Sequence, residues 1–172
     1  MFVNTIKILL FGLFLTCFLV AETDQEKSTL IKTGDMAPSF NFTTLDGQNY
    51  SSESLQGKVV LINFFATWCG PCNAEIPHLI DEVYEKIEDE DFFMVGIGRE
   101  HVADTLRKFV DKKEIFYPIT ADPERKIYGK FAQRYIPRNV VIGKDSKVLY
   151  ESVGFDQEEF DKMIEVIREE LE

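Results

Sequence analysis

The chain alternates between short apolar runs and longer stretches in which apolar residues recur every three or four positions. Val59 to Ala66 is apolar throughout except for Asn63, and it is rich in β-branched and aromatic residues. That composition predicts a strand buried on both faces. Asn73 to about Glu88 places Ile76, Leu79, Ile80, Val83, Tyr84 and Ile87 on one stripe, which predicts an amphipathic helix. Phe92 to Ile97 reads as a second buried strand. His101 to Lys113 reads as a helix that buries Leu106, Phe109 and Val110.

Weaker signals frame these elements. Ser39 to Thr44 and Asn49-Tyr50 flank Leu45-Asp46-Gly47-Gln48, a turn signal that predicts a small hairpin. Tyr117 to Thr120 reads as a short strand or a loop. Glu124 to Gln133 reads as a short helix with Ile127, Tyr128 and Phe131 inward. Val140 to Ile142 and Val148 to Val153 surround Gly143-Lys144-Asp145-Ser146-Lys147 and predict a second hairpin. Phe155 to Leu171 closes the chain as a helix carrying Phe160, Ile164, Ile167 and Leu171. Two parallel strands joined by a crossover helix, then an antiparallel hairpin, predict an α/β fold. Its mixed central sheet carries helices on both faces, and a β-hairpin extends it at the N-terminus.

Residues 1–21 break the pattern. Lys7 precedes an uncharged, mostly apolar stretch of 14 residues, Ile8 to Ala21, and polar residues follow. A helix of that length spans about 21 Å, less than a bilayer core of about 30 Å. The segment therefore reads as a signal peptide. Cys17 keeps a lipoprotein signal open, and counting from Phe2 keeps a retained anchor open. Each route places the rest of the chain outside the cytoplasm, in the periplasm or cell envelope. Membrane contact is expected only through this segment, if it is retained or lipidated. Residues 22–33 read as a mobile leader, and residues 34–172 as one domain with room for a substantial core.

The formal charge is −11. No basic cluster interrupts the acidity, so nucleic-acid binding has no electrostatic footprint. There are no internal repeats and no low-complexity tracts.

The candidate chemistry sits where the Val59–Ala66 strand meets the following helix, at Trp68-Cys69-Gly70-Pro71-Cys72. A helix start offers unpaired N–H groups and a dipole that favour negative charge. A thiolate is negative and a thiol is not, so Cys69 is expected to ionise more readily, from about 8.5 towards 7. Cys72 lies one turn deeper and is expected to stay protonated until it resolves a mixed disulfide made by Cys69. Pro71 suits a first helical turn, where its missing N–H costs nothing. A zinc site would need two further ligands. The chain offers only Cys17 in the N-terminal segment and the unpaired His78 and His101, so no metal site is expected. A purely structural disulfide over so short a loop would constrain the unfolded chain little.

In this order, Gly34-Asp35-Met36-Ala37-Pro38-Ser39-Phe40, Val60 to Cys72, Glu75-Ile76-Pro77 and Ile136-Pro137 resemble the thioredoxin-fold proteins of the TlpA/ResA type. These are redoxin-related extracytoplasmic thiol–disulfide oxidoreductases, and the resemblance covers about Gly34 to Leu171. It implies a thioredoxin fold and a Cys69–Cys72 dithiol cycle that reduces disulfides in client proteins. It also implies recharging by a membrane thiol donor and no organic cofactor. The branch includes proteins of cytochrome c maturation. Pro137 is implied to be cis and to face the cysteines, so that Ile136 can pair with an extended substrate strand. Glu75 is implied to belong to the active site, where its carboxylate could accept the proton that Cys72 loses. Asn63 stands where cytoplasmic thioredoxins carry an acid, which leaves that task to Glu75. Trp68, Gly70 and Pro71 complete the expected substrate-facing surface. His78 and His101 read as half-exposed helix residues without a role. Two other readings stay open. One is a peroxiredoxin-like thiol peroxidase, although no proline precedes Cys69 in its run. The other is a non-catalytic binding module that uses the Pro137 edge.

Overall fold

A computed structural model describes residues 23–172. The expected targeting segment, residues 1–21, lies outside the described residues. Five strands form one sheet in the order β5 (Ile119–Asp122), β4 (Phe92–Arg99), β3 (Val59–Phe65), β6 (Arg138–Ile142) and β7 (Val148–Val153). β3, β4 and β5 are parallel, whereas β6 and β7 run antiparallel. The Tyr117–Thr120 signal thus resolves as a third parallel strand on the sheet edge. The predicted N-terminal hairpin is present as β1 (Asn41–Thr43) and β2 (Asn49–Ser51). It covers that edge through a bridge between Thr44 and Thr120, which leaves less unpaired backbone exposed.

Side-chain alternation splits the central strands between two cores. Val59, Leu61 and Phe65 face α2 (Gly70–His78), α3 (Ala103–Lys113) and α5 (Gln157–Leu171), packing with Leu79, Leu106, Phe160, Met163 and Ile167. Val60, Ile62 and Phe64 face the opposite side, where α4 (Tyr128–Phe131) and the N-terminal hairpin supply Tyr128, Phe131, Phe40 and Phe42. Every residue of β3 is buried, as an apolar run broken only by Asn63 leads one to expect.

Three elements depart from their predicted form. The long helix after Cys72 remains α-helical only to His78 and continues as a π-helical turn over Leu79–Tyr84. Pro77 lies at this junction; it has no N–H to donate and crowds the preceding turn. The expected helix over 124–133 shrinks to one turn, because Pro123 and the left-handed Arg125 (φ 57°) precede it. Asp122 anchors that turn by accepting the N–H groups of Ile127 (3.1 Å) and Tyr128 (2.8 Å).

The third element is the segment read as a mobile leader, residues 22–33. Its residues 23–33 instead pack on the domain. Thr23 caps the short helix α1 (Asp24–Ser28) with a capping box. Leu30 N–H donates to Phe131 O (2.9 Å), Gln133 N–H donates to Ser28 O (2.8 Å), and Ile31 is buried. The strap hides the guanidinium of Arg138, which donates to Thr29 Oγ1 (2.9 Å) and Glu151 Oε2 (2.8 Å). The polar composition of the strap gave no sign of docking, because its partners are backbone groups and the side chains of Arg134, Tyr135 and Arg138, more than 100 positions away.

Candidate active site

Cys69 is the N-cap of α2, and Gly70 and Pro71 are its first two helical residues. The Cys72 N–H points at Cys69 Sγ (3.2 Å), which realises the helix-start field inferred from the sequence. The two cysteines are joined as a disulfide. Cys69 keeps 5% of its surface exposed and Cys72 none, so an attacking sulfur can reach only the first. Gly70 and Pro71 are exposed beside it, and Trp68 is 64% exposed. The Ile136–Pro137 peptide is cis. The Ile136 carbonyl lies 3.7 Å from Cys69 Sγ, so the loop before β6 and the start of α2 meet at this sulfur.

Below the cysteines lies a carboxyl group. Glu75 is on α2, three residues beyond Cys72 and on the same face, and is 1% exposed. It is therefore not a solvated first-turn acid. The antiparallel register of β3 and β6 pairs Asn63 with Asn139 directly beneath it. Asn139 Nδ2 donates to Glu75 Oε1 (2.5 Å) and Asn63 Nδ2 donates to Oε2 (2.9 Å). Asn63 Nδ2 also reaches Asn139 Oδ1 (2.8 Å). Burial pushes the carboxyl pKa up to about 7, and the two amide N–H groups hold it from rising further. A carboxylate that titrates near 7 is matched to moving a proton at neutral pH. Two buried polar atoms near this cluster lack a protein partner, Asn63 Oδ1 and Tyr117 Oη.

Sequence reasoning did not find Asn139. Its only signal was a polar residue at the start of a buried strand, two positions after Pro137, and only the strand register sets it opposite Asn63. His78 is half-buried and pairs with Glu82 (2.5 Å), away from any expected role. His101 corrects its expectation. It precedes α3 instead of lying within it, is 8% exposed, and its Nε2 accepts the Thr67 N–H (3.0 Å). Among the described residues no cluster of three or more His, Cys, Asp or Glu could hold a metal ion.

Comparison with known proteins agrees with this geometry. The Redoxin family model matches residues 32–167. A thiol-disulfide oxidoreductase ResA of Bacillus cereus is 30% identical over 131 residues, covering 76% of this chain and 73% of that protein. A Bacteroides thetaiotaomicron protein described as a candidate protein disulfide isomerase superposes with a TM-score of 0.80. It is 33% identical and covers 84% of this chain and 92% of its own. A thiol:disulfide interchange protein of the thioredoxin family from Chlorobium tepidum has a TM-score of 0.66. It is 31% identical and covers 82% of this chain and 98% of its own.

Proposed function

This chain belongs to the Redoxin family and is a thiol–disulfide oxidoreductase; we propose that it works outside the cytoplasm as a reductant of disulfides in client proteins. The observation that carries the reading is the Cys69–Cys72 pair at the start of α2, with its outer sulfur beside the Ile136 carbonyl and a buried carboxyl on the same helix.

The cycle begins with the reduced pair. Cys69, ionised under the Cys72 N–H and the helix dipole, attacks a client disulfide. A Cys69–client bond forms, and the second client sulfur leaves as a thiolate that takes a proton from water. Cys72 then gives its proton to the Glu75 carboxylate and attacks Cys69 Sγ. The first client sulfur departs as a thiolate and is protonated in turn. The client has gained two electrons and two protons, and the protein holds the observed disulfide. A thiol donor must return those electrons, and a membrane carrier fits the envelope location read from residues 1–21. Ile136 and Trp68 flank the sulfur where an extended client segment would lie.

Insulin-disulfide reduction tests the chemistry. The wild type should reduce insulin and Cys69→Ser should not. Equal rates would reject the dithiol cycle and leave a binding module. Cys72→Ala should stall as a mixed disulfide with the natural client, identifiable by mass spectrometry. A measured potential near about −120 mV would mark an oxidant instead and overturn the direction.

A further inference from the structure

His101 takes no part in the dithiol cycle, yet its ring lies against the turn that presents Cys69. β3 and β4 pair in parallel with Phe65 opposite Gly98, so both chains leave the sheet at the same end. Thr67 comes two residues after that pair on one strand and His101 three residues after it on the other. Beyond the ladder, the Thr67 N–H needs another acceptor, because a half-buried N–H left unpaired is costly. His101 Nε2 supplies it at 3.0 Å, and Thr67 Oγ1 lies 3.4 Å from the same nitrogen.

Apart from the contact of Cys69 Sγ with the Ile136 carbonyl, the other bonds of the turn named here are internal to it. Cys69 N–H donates to Ala66 O (3.1 Å), and Asn73 Nδ2 donates to Thr67 O (3.0 Å) and Cys69 O (2.8 Å). These bonds move with residues 66–73. The bond to His101 is the one of this set that ties the turn to the chain leaving β4.

We propose that His101 is a positioning residue for Cys69, its ring nitrogen fixing the Thr67 backbone and through it the turn that holds the sulfur beside Ile136. The inference rests on the dithiol reading above.

Accepting an N–H requires a neutral ring with its proton on Nδ1. Burial lowers the His101 pKa, and the Glu100 carboxylate opposes this. Asp104, Lys108 and Lys112 of α3 border the surface hollow that Thr67 lines, and Cys69, from α2, adds negative charge when ionised. A lowered histidine pKa means that the native state prefers the neutral ring. The tie is therefore present at neutral pH, persists past the ordinary histidine value of about 6.5, and is lost only as pH falls through the lower value of the folded ring. Protonation turns Nε2 into a donor that faces another donor.

Two variants separate positioning from packing. His101→Gln keeps an acceptor oxygen and does not titrate; His101→Phe keeps a flat ring without an acceptor. For insulin reduction, His101→Phe should lose about threefold to tenfold in rate, the equivalent of one hydrogen bond. His101→Gln should stay within about twofold of the wild type. On acidification through the lowered range of this ring, the wild type should show an extra decline that His101→Gln lacks. In hydrogen exchange, relative to the intrinsic rate at each pH, the Thr67 amide should be poorly protected in His101→Phe, and in the wild type once acid has protonated the ring, but well protected in His101→Gln at either pH. If His101→Phe does not fold, the wild type and His101→Gln pH profiles carry the test alone. Matching profiles for those two, or a His101→Gln as slow as His101→Phe, would overturn the positioning role while Cys69 still reduced insulin. A wild type that reduces no insulin would overturn the dithiol reading itself, a separate result.

Discussion

Glu75 holds its carboxyl between two amide donors with almost no solvent, and its chemistry follows from the balance of those terms. Its folded pKa of about 7 lies above the ordinary 4.5, so the native state favours the protonated form. The stability it contributes is complete below the unfolded pKa and is lost as pH rises from about 4.5 through 7. Glu75→Gln mimics the neutral form, and the unpartnered Asn63 Oδ1 offers an acceptor for the new amide if Asn63 turns over. In urea titrations this variant should gain about 2–3 kcal/mol over the wild type at pH 8 and nothing at pH 4.5. Insulin reduction should meanwhile fall roughly 100-fold, with loss of any pH limb near 7. A stability gain without a rate loss would remove Glu75 from the proton path. The Cys-x-x-Cys spacing and the carboxyl three residues later are local, so both were readable from the sequence. The burial of Glu75 was not, because the lid over it is made by residues from β3 and β6.

At the scale of elements, glycine decides how closely α3 approaches the sheet. A Cβ on Gly98 would meet Leu106 Cδ1 and Cδ2 at 2.6 Å, and Leu106 is fully buried with little room to move. Gly98→Ala should therefore cost about 1–3 kcal/mol, read as a lower urea midpoint with unchanged slope. An unchanged midpoint would mean that α3 shifts freely. The hydrophobic period located β3, β4 and α3 near this contact and left β5 as a short strand or a loop. It overran at Pro77, because a proline's missing N–H leaves the apolar stripe intact while changing the backbone bonding beneath it. It also overextended α4, whose expected start at Glu124 lies before a left-handed Arg125 that no helix can include.

For the whole molecule, the strap of residues 23–31 joins the domain's N-terminal end to the loop before Pro137. Asp24 accepts from Arg134 Nη2 (3.1 Å) and Tyr135 Oη (2.5 Å), and Ser28 and Thr29 accept from buried Arg138. Deleting residues 23–31 should expose Arg138 and weaken its pair with Glu151. The expected cost is about 2–4 kcal/mol, with faster proteolysis in the 133–138 loop; unchanged stability and cleavage would make the strap an ornament of the surface. The meeting of Pro137 with Cys69 was implied only by the family resemblance; by itself the sequence determined the succession of the main strands and helices and the placing of Cys69 and Cys72 at a helix start. Those follow from neighbours within a few positions, where periodicity and backbone dipoles act. Only the tertiary structure decided that Asn139 meets Glu75, that His101 meets Thr67 and that the strap covers Arg138. Each joins residues at least 34 positions apart, and each depends on strand register or on how the chain docks after leaving the sheet, neither of which local composition encodes.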